Sequence, residues 1–298
     1  MKKIEQKDLF ELKNVAQPVV AGGDIFFTET KMNEKKNTYE TAIYKYTNEG
    51  KVPYGDDGTV NSSLQVSPDG KWISFVSNEG EDKTPQLKIQ SVTGGKAIAL
   101  TQEKKGVSVY VWGKDSQSIY YQTTKADEEE KKDEFPQPII VEKTTYRFDG
   151  GSFLPNKEMT QIKQVEVSTK EVKTLFETED SIFFRDVLHD GGSLVVDRDL
   201  SNIRWTLDSA EACYVDVATG DIHPILEAGT DESYRYLLDS KEGVVLAYNS
   251  GEHGFVTQVD IVFNKEGQPG SEGSILNLTS GLDVEWGDWL VADFQQSV

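Results

Sequence analysis

The chain has 298 residues, 51 acidic against 31 basic, and a formal net charge of −20, a field that repels phosphate backbones and argues against DNA or RNA as partners. No run approaches the roughly 20 consecutive apolar residues that cross a bilayer, and the start, MKKIEQKDLFELKNVAQPVVAGG, sets Glu5, Asp8 and Glu11 where a signal peptide carries its apolar core. Cys213 is the one cysteine, which excludes an internal disulfide and fits a reducing compartment, so the expected location is cytoplasmic, away from membranes.

In chain order, two elements alternate. The first predicted unit opens on a turn feeding a short apolar strand, VVAGGDIFFTET (19–30), and continues into two strands joined by a polar turn, AIYKYTNEGKVPY (42–54). The second repeats this as SPDGKWISFVSN (67–78) and LKIQSVTGGKAIAL (87–100). In its turn Pro68 fixes φ at the first central position, Asp69 can bond nearby backbone and Gly70 can take positive φ, which makes a tight hairpin. Ile73 and Phe75 then face one way and Trp72, Ser74 and Val76 the other, a mostly apolar pattern on both faces that suits a strand sandwiched between neighbouring sheets.

The third unit is GKDSQSIYYQTT (113–124) and IKQVEVSTKEVKTLF (162–176), interrupted by a charged stretch, ADEEEKKDEF (126–135), that is the chain's one plausible helix. The fourth is LHDGGSLVVDRD (188–199) and CYVDVATGDIHPIL (213–226). The fifth is LDSKEGVVLAYN (238–249) and a degenerate TQVDIVFNKEGQPG from Thr257. DVEWGDWLVADF (283–294), with Trp286 and Trp289, opens the same frame a sixth time. The second-element turns fall at Asn48, Thr93, Thr169, Thr219 and Asn264, spaced 45, 76, 50 and 45 residues apart. Three of these lie near the period of about 40–45 residues of a WD40-like propeller blade, and 76 is one blade plus an insertion.

The predicted fold is therefore all-β: a β-propeller of four-stranded antiparallel blades, at least five plus part of a sixth, in one domain over 1–298. The approximate blades are 19–60, 61–102, 103–176 with a charged insertion at 125–160, 177–226, 227–278 and a partial 279–298. A blade cannot cover its own apolar faces, so the chain is expected to be part of a longer protein or to have its last blade completed by the chain start or another subunit.

Chemistry-bearing motifs are sparse, and no residue is assigned a catalytic, metal-binding or cofactor-binding role. The chain has no G-x-S-x-G pentapeptide, which sets a hydrolase serine on a sharp turn; Ser152 and Ser193 follow glycine pairs but lack the later glycine. His189, His223 and His253 are isolated and never paired at helical spacing. Cys213 lies among Tyr214, Val215 and Val217, where a buried, unreactive thiol is expected. The AGG, TGG and DGGS pieces lack the spacing and following helix of a phosphate cradle. Asp56-Asp57-Gly58 lacks the alternating carboxylates of a calcium loop.

The repeat, once in view, resembles the N-terminal propeller of the prolyl oligopeptidase family of serine peptidases, closest to its acylaminoacyl-peptidase-like members. The resemblance runs through SPDGKWISFVSNEGEDKTPQLKIQSVTGGKAIALT (67–101), VSVYVWGKDSQSIYYQT (107–123) and PIIVEKTTYRFDGGSFLPNKEMTQIKQVEVSTKEVKTLF (138–176). In the third piece the family's excursion carries an arginine and an aromatic residue near a D-G turn, matched by Tyr146, Arg147, Asp149 and Gly150. The fourth and fifth blades depart from it, with LHDGG and LDSKEG in place of S-P-D-G.

The family fold implies a seven-bladed ring followed by an α/β-hydrolase domain with a Ser-Asp-His triad, and this chain would be a fragment of that ring. The implied function is a non-catalytic propeller that gates and helps position short peptides for a serine-peptidase domain of the same longer chain. Arg147 is the candidate substrate or domain-interface residue, with Tyr146 beside it, and self-association stays open. The alternative is a stand-alone protein- or sugar-binding module.

Overall fold

The computed structural model describes residues 3, 5–56, 59–126, 138, 140–142, 146–147, 158–188, 192–204, 206, 209–253, 257–265 and 275–282. Its strands form five four-stranded antiparallel blades. Blade 1 is β1 (Lys13–Ala21), β2 (Asp24–Asn33), β3 (Thr38–Thr47) and β4 (Gly50–Tyr54); blade 2 is β5 (Asn61–Val66), β6 (Trp72–Ser77), β7 (Gln86–Ser91) and β8 (Ile98–Ala99). Blade 3 is β9 (Val109–Trp112), β10 (Ser118–Thr124), β11 (Thr160–Glu166) and β12 (Val172–Thr178). Blade 4 is β13 (Ile182–Val187), β14 (Ser193–Asp199), β15 (Ala210–Asp216) and β16 (Ile222–Pro224), and blade 5 is β17 (Ser233–Ser240), β18 (Gly243–Asn249), β19 (Asp260–Lys265) and β20 (Ile275–Asn277). Blades 4 and 5 join into one eight-stranded sheet through a parallel pairing of Ala210 with Ser233. The architecture is the all-β propeller that the repeat predicts.

The chain divides into two compact units, residues 1–123 with 163–173, and residues 124–162 with 174–298. In the first unit the faces of blades 1 and 2 close on Val19, Phe26, Ile43, Leu64, Ile73 and Phe75. A second cluster gathers Val76, Leu87, Ile89, Tyr110, Trp112, Ile119 and Tyr121. Ile73, Ser74, Phe75 and Val76 of β6 are all buried, because a middle strand of a blade has a neighbour on each face. The second unit packs Val195, Ala212 and Tyr214 of blade 4 against Tyr234, Tyr236 and Leu246 of blade 5.

The first strands of blades 1, 2, 4 and 5 are bulged, whereas β9 of blade 3 pairs in unbroken register. Bulges interrupt β1 between Ala16 and Val19, β5 between Ser62 and Gln65, β13 between Phe184 and Asp186, and β17 between Tyr236 and Leu238. In β1 and β5 the extra residues include Gln17 and Ser63, at φ 53° and 59°, and the Ser63 N–H donates to Gln17 Oε1 at 2.9 Å. This explains why β1 begins at Lys13 although regular alternation becomes legible only from Val19.

Among the described residues two short helices, a 3-10 turn at Gln6–Glu11 and α1 (Ser201–Arg204), are too brief for any apolar stripe to announce them. ADEEEKKDEF lies outside the described residues apart from Ala126, and the sixth-frame segment 283–294 lies wholly outside them. Among the described residues no helix is long and apolar enough to cross a membrane.

Candidate functional site

The SPDG turn is built by its own side chains. The Gly70 N–H donates to the Ser67 carbonyl at 2.8 Å, which places Pro68 and Asp69 at the two central positions, and Gly70 takes φ 71°. Asp69 Oδ1 accepts from Ser67 Oγ at 2.6 Å and from the Lys71 N–H at 3.1 Å, while Lys71 Nζ pairs with Oδ2 at 2.9 Å. These bonds, the one from Ser67 foremost, hold the Asp69 carboxyl at a pKa of about 2. The Asp69 N–H donates to Ser116 Oγ, tying this turn to the corresponding turn of blade 3 at 2.9 Å. All of these bonds are made among residues of the two turns themselves.

Tyr146 and Arg147 lie on the excursion between β10 and β11, both exposed, Tyr146 at 46%. Asp149 and Gly150 lie outside the described residues, as do Ser152 and His189. Ser193 opens β14 as a ladder residue opposite Asp216, and His223 and His253 are exposed. Cys213 is fully buried in mid-strand, and burial pushes its thiol up to about 12, so it holds its proton at neutral pH. Among the described residues no three His, Cys, Asp or Glu side chains are grouped to hold a metal ion.

A different set of residues does converge, on the first two strands of blade 4 and the first strand of blade 5. Opposite pairs in the ladder are Phe183 with Asp197, Phe184 with Val196, and then Asp186 with Val195, so Arg185 is the extra residue of the bulge. Side chains alternate along a strand, so the bulge sets Phe183, Arg185 and Asp186 on the same face, the one carrying Asp197 and Val195. Arg185 Nε donates to Asp197 Oδ2 at 2.6 Å, and its guanidinium carbon lies 4.5 Å from the centre of the Phe183 ring. Asp197 Oδ1 accepts the Tyr236 N–H at 2.9 Å, and Tyr236 Oη donates to Asp186 Oδ2 at 2.8 Å.

The electrostatics follow from burial. Asp197 is 3% exposed, and loss of water, the largest influence, raises its pKa above the ordinary carboxylate value against the pull of Arg185 and the Tyr236 N–H. Burial likewise, with Asp186 beside it, pushes the Tyr236 hydroxyl far up, so it acts as a fixed donor. Each carboxylate oxygen of Asp186 and Asp197 accepts a hydrogen bond, and the group holds the Arg185 cation in one orientation. The readable trace was Arg185-Asp186 inside the apolar run SIFFRDVL, a charged pair that breaks strand alternation, but which wall it serves depends on the ladder register.

No protein-family model matches the chain. It is 29% identical over 186 residues to a Bacillus subtilis (strain 168) protein named uncharacterized peptidase YuxL, a match covering 59% of this chain and 28% of that protein. Among solved structures, the acylaminoacyl peptidase of Pyrococcus horikoshii superposes with a TM-score of 0.68 at 19% identity, covering 95% of this chain and 42% of the peptidase. The β-propeller domain of the Trilobed protease from Pyrococcus furiosus, a propeller of open velcro topology, gives a TM-score of 0.59 at 16% identity over 92% of this chain and 72% of that one. The chain thus spans less than half the length of the peptidases it matches, and its fold is a β-propeller related to that of the acylaminoacyl-peptidase and prolyl-oligopeptidase proteins.

Proposed function

We propose that this chain is the non-catalytic propeller of a longer cytoplasmic serine peptidase, where it admits short peptides to an α/β-hydrolase domain and helps position them. The observation that carries the reading is the coverage: 95% of the chain corresponds to 42% of the acylaminoacyl peptidase, which leaves most of that enzyme to be supplied by other residues. The relative named as a peptidase leaves still more of its length unmatched. A propeller in this position acts by exclusion: an extended short peptide fits its openings and a folded protein does not, so selectivity arises from size and not from transition-state stabilisation. Arg147, exposed on the excursion, suits a salt bridge to a substrate carboxylate or to an acidic residue of the hydrolase domain.

The test pairs the natural gene product with this 298-residue chain in a peptidase assay on a blocked tripeptide and on a folded protein. The expected outcome is cleavage of the tripeptide only, by the longer product only. A natural product that ends near Val298 and cleaves neither substrate overturns the reading.

A further inference from the structure

We propose that Arg185 and Phe183 form a subsite for the free carboxylate end of a short peptide whose last side chain is apolar or aromatic. The choice of a peptide rests on the function proposed above; the chemistry of the subsite rests on the residues themselves.

Several buried or partly buried cations in this chain are spent on carboxylates of their own. Lys88 Nζ lies between Asp56 and Glu79, Lys163 Nζ sits 3.0 and 2.9 Å from the two oxygens of Glu103, and Arg204 divides its donors among Ser209, Glu211 and the Gly229 carbonyl. Arg185 differs. Its Nε is bound to Asp197, but among the described residues its two terminal nitrogens have no hydrogen-bond partner, and its side chain is 27% exposed. A guanidinium anchored through Nε keeps its paired terminal N–H groups in the fork that matches a carboxylate. Asp186, next to Arg185 in the chain, accepts from Tyr236 Oη and from the Val187 N–H at 2.8 Å each.

Phe183 supplies the second half of the recognition. It is 46% exposed in the first strand of its blade, a costly place for a phenyl ring unless something covers it. The guanidinium stacks over this ring, so a carboxylate on the terminal nitrogens brings the side chain of the same residue toward the uncovered part of the phenyl. Phe183 and Arg185 both lie on β13, the first strand of blade 4, on the face that carries Asp197. The bulge that brings Arg185 and Asp186 to one face fixes this geometry in the backbone, and Asp197, bonded to the Tyr236 N–H of the next blade, fixes the guanidinium.

Calorimetric titration of the 298-residue chain tests this with acetyl-Ala-Ala-Phe as the free acid, the same peptide as its C-terminal amide, and a uronic-acid disaccharide. The free acid is expected to bind about 10- to 100-fold more tightly than the amide, the range for a hydrogen-bonded charge. Arg185→Gln should erase that difference, Arg185→Lys should restore part of it, and Phe183→Ala should weaken the acid while keeping its advantage over the amide. The acid–amide comparison on the unaltered chain needs no variant, so a misfolded Arg185→Gln does not spare the proposal. Equal binding of acid and amide, or binding of neither, overturns it, and Arg185-dependent binding of the disaccharide alone overturns the peptide assignment. No cleavage is measured, so this result stands or falls separately from the size selectivity of the longer product.

Discussion

At Asp69 a solvent-exposed carboxyl is held by three donors, and the consequence is a titration that can be observed directly. Ser67 Oγ is the strongest of them, followed by Lys71, and together they bring the pKa to about 2 from an ordinary aspartate value of about 3.9. A carboxyl whose folded pKa is lowered contributes stability in full above the unfolded value and loses it as pH falls from about 4 toward 2. Carboxyl NMR should find the Asp69 midpoint near 2, and Ser67→Ala should move it up toward the ordinary value; a midpoint near 4 in the unaltered chain would mean that the Ser67 bond does not form in solution. Ser74 makes the buried counterpart of this bond. It is a polar residue inside an apolar strand because Trp112 Nε1 donates to its Oγ at 2.7 Å, while that Oγ donates to the Gln65 carbonyl at 3.3 Å. Ser74→Ala leaves the indole N–H without an acceptor and should cost about 1–3 kcal/mol in urea unfolding; a loss within the scatter of surface substitutions would show that the indole finds another acceptor.

Turns are written locally in the sequence, whereas strand irregularities are written in pairs of strands. The SPDG segment was readable as a turn, because Pro68, Asp69 and Gly70 each have a local job, but the Ser67 Oγ bond to Asp69 and the tie to Ser116 were not. The bulges were not, since a bulge is a property of two strands: IFFRDV reads as a strand with a misplaced charged pair until Val195 and Val196 supply the register that makes Arg185 the extra residue. For the same reason the candidate site lies at residues the motif search passed over, while Arg147 was reached through resemblance. Glycine carries the element-scale information in blade 5, whose turn lacks the S-P-D-G pattern. Gly243 has φ 151°, and a Cβ there would lie 2.1 Å from the Asn264 carbonyl oxygen of the neighbouring strand, a backbone atom that cannot swing away. Gly243→Ala should therefore destabilise the chain by about 1–3 kcal/mol, the usual cost of overpacking. Gly220, at φ 78° with nothing within 4 Å of its missing Cβ, needs only the left-handed backbone, which asparagine tolerates. Gly220→Asn should stay within about 0.5 kcal/mol of the parent; comparable losses at both sites would mean that backbone conformation, and not the clash with Asn264, sets the cost.

Over the described residues, outside which the sixth frame lies, five blades and their four-strand repeat were legible because the blades announce their own turns, at spacings of 45, 50 and 45 residues with one interval of 76. The fusion of blades 4 and 5 through a single parallel pairing was not, being a long-range contact with no local signature. The charge of −20 was also plain from the sequence, but its division between surface and interior is visible only in the fold. Inside, Lys88 is 7% exposed and Asp56 8%, with 2.6 Å between their charged atoms and Glu79 on the other side of the ammonium. Burial is the largest influence on Lys88 and opposes its charge, yet the two carboxylates outweigh it and hold the pKa above the ordinary lysine value. Outside, pairs such as Lys7–Glu5 are well hydrated and contribute little, so the surplus of carboxylates repels itself. Raising salt from about 0.01 to 0.15 M shortens the screening length from about 30 to 8 Å and should raise the urea midpoint, because the net repulsion is relieved more than the few exposed pairs are weakened. Lys88→Met acts on the interior instead: it leaves Asp56 buried without its cation and should cost about 3–5 kcal/mol. That cost should be nearly the same at both salt concentrations, since mobile ions do not reach a buried pair. If the difference between Lys88→Met and the parent collapses at the higher salt, the cluster is solvent-accessible and Lys88 belongs with the surface charges.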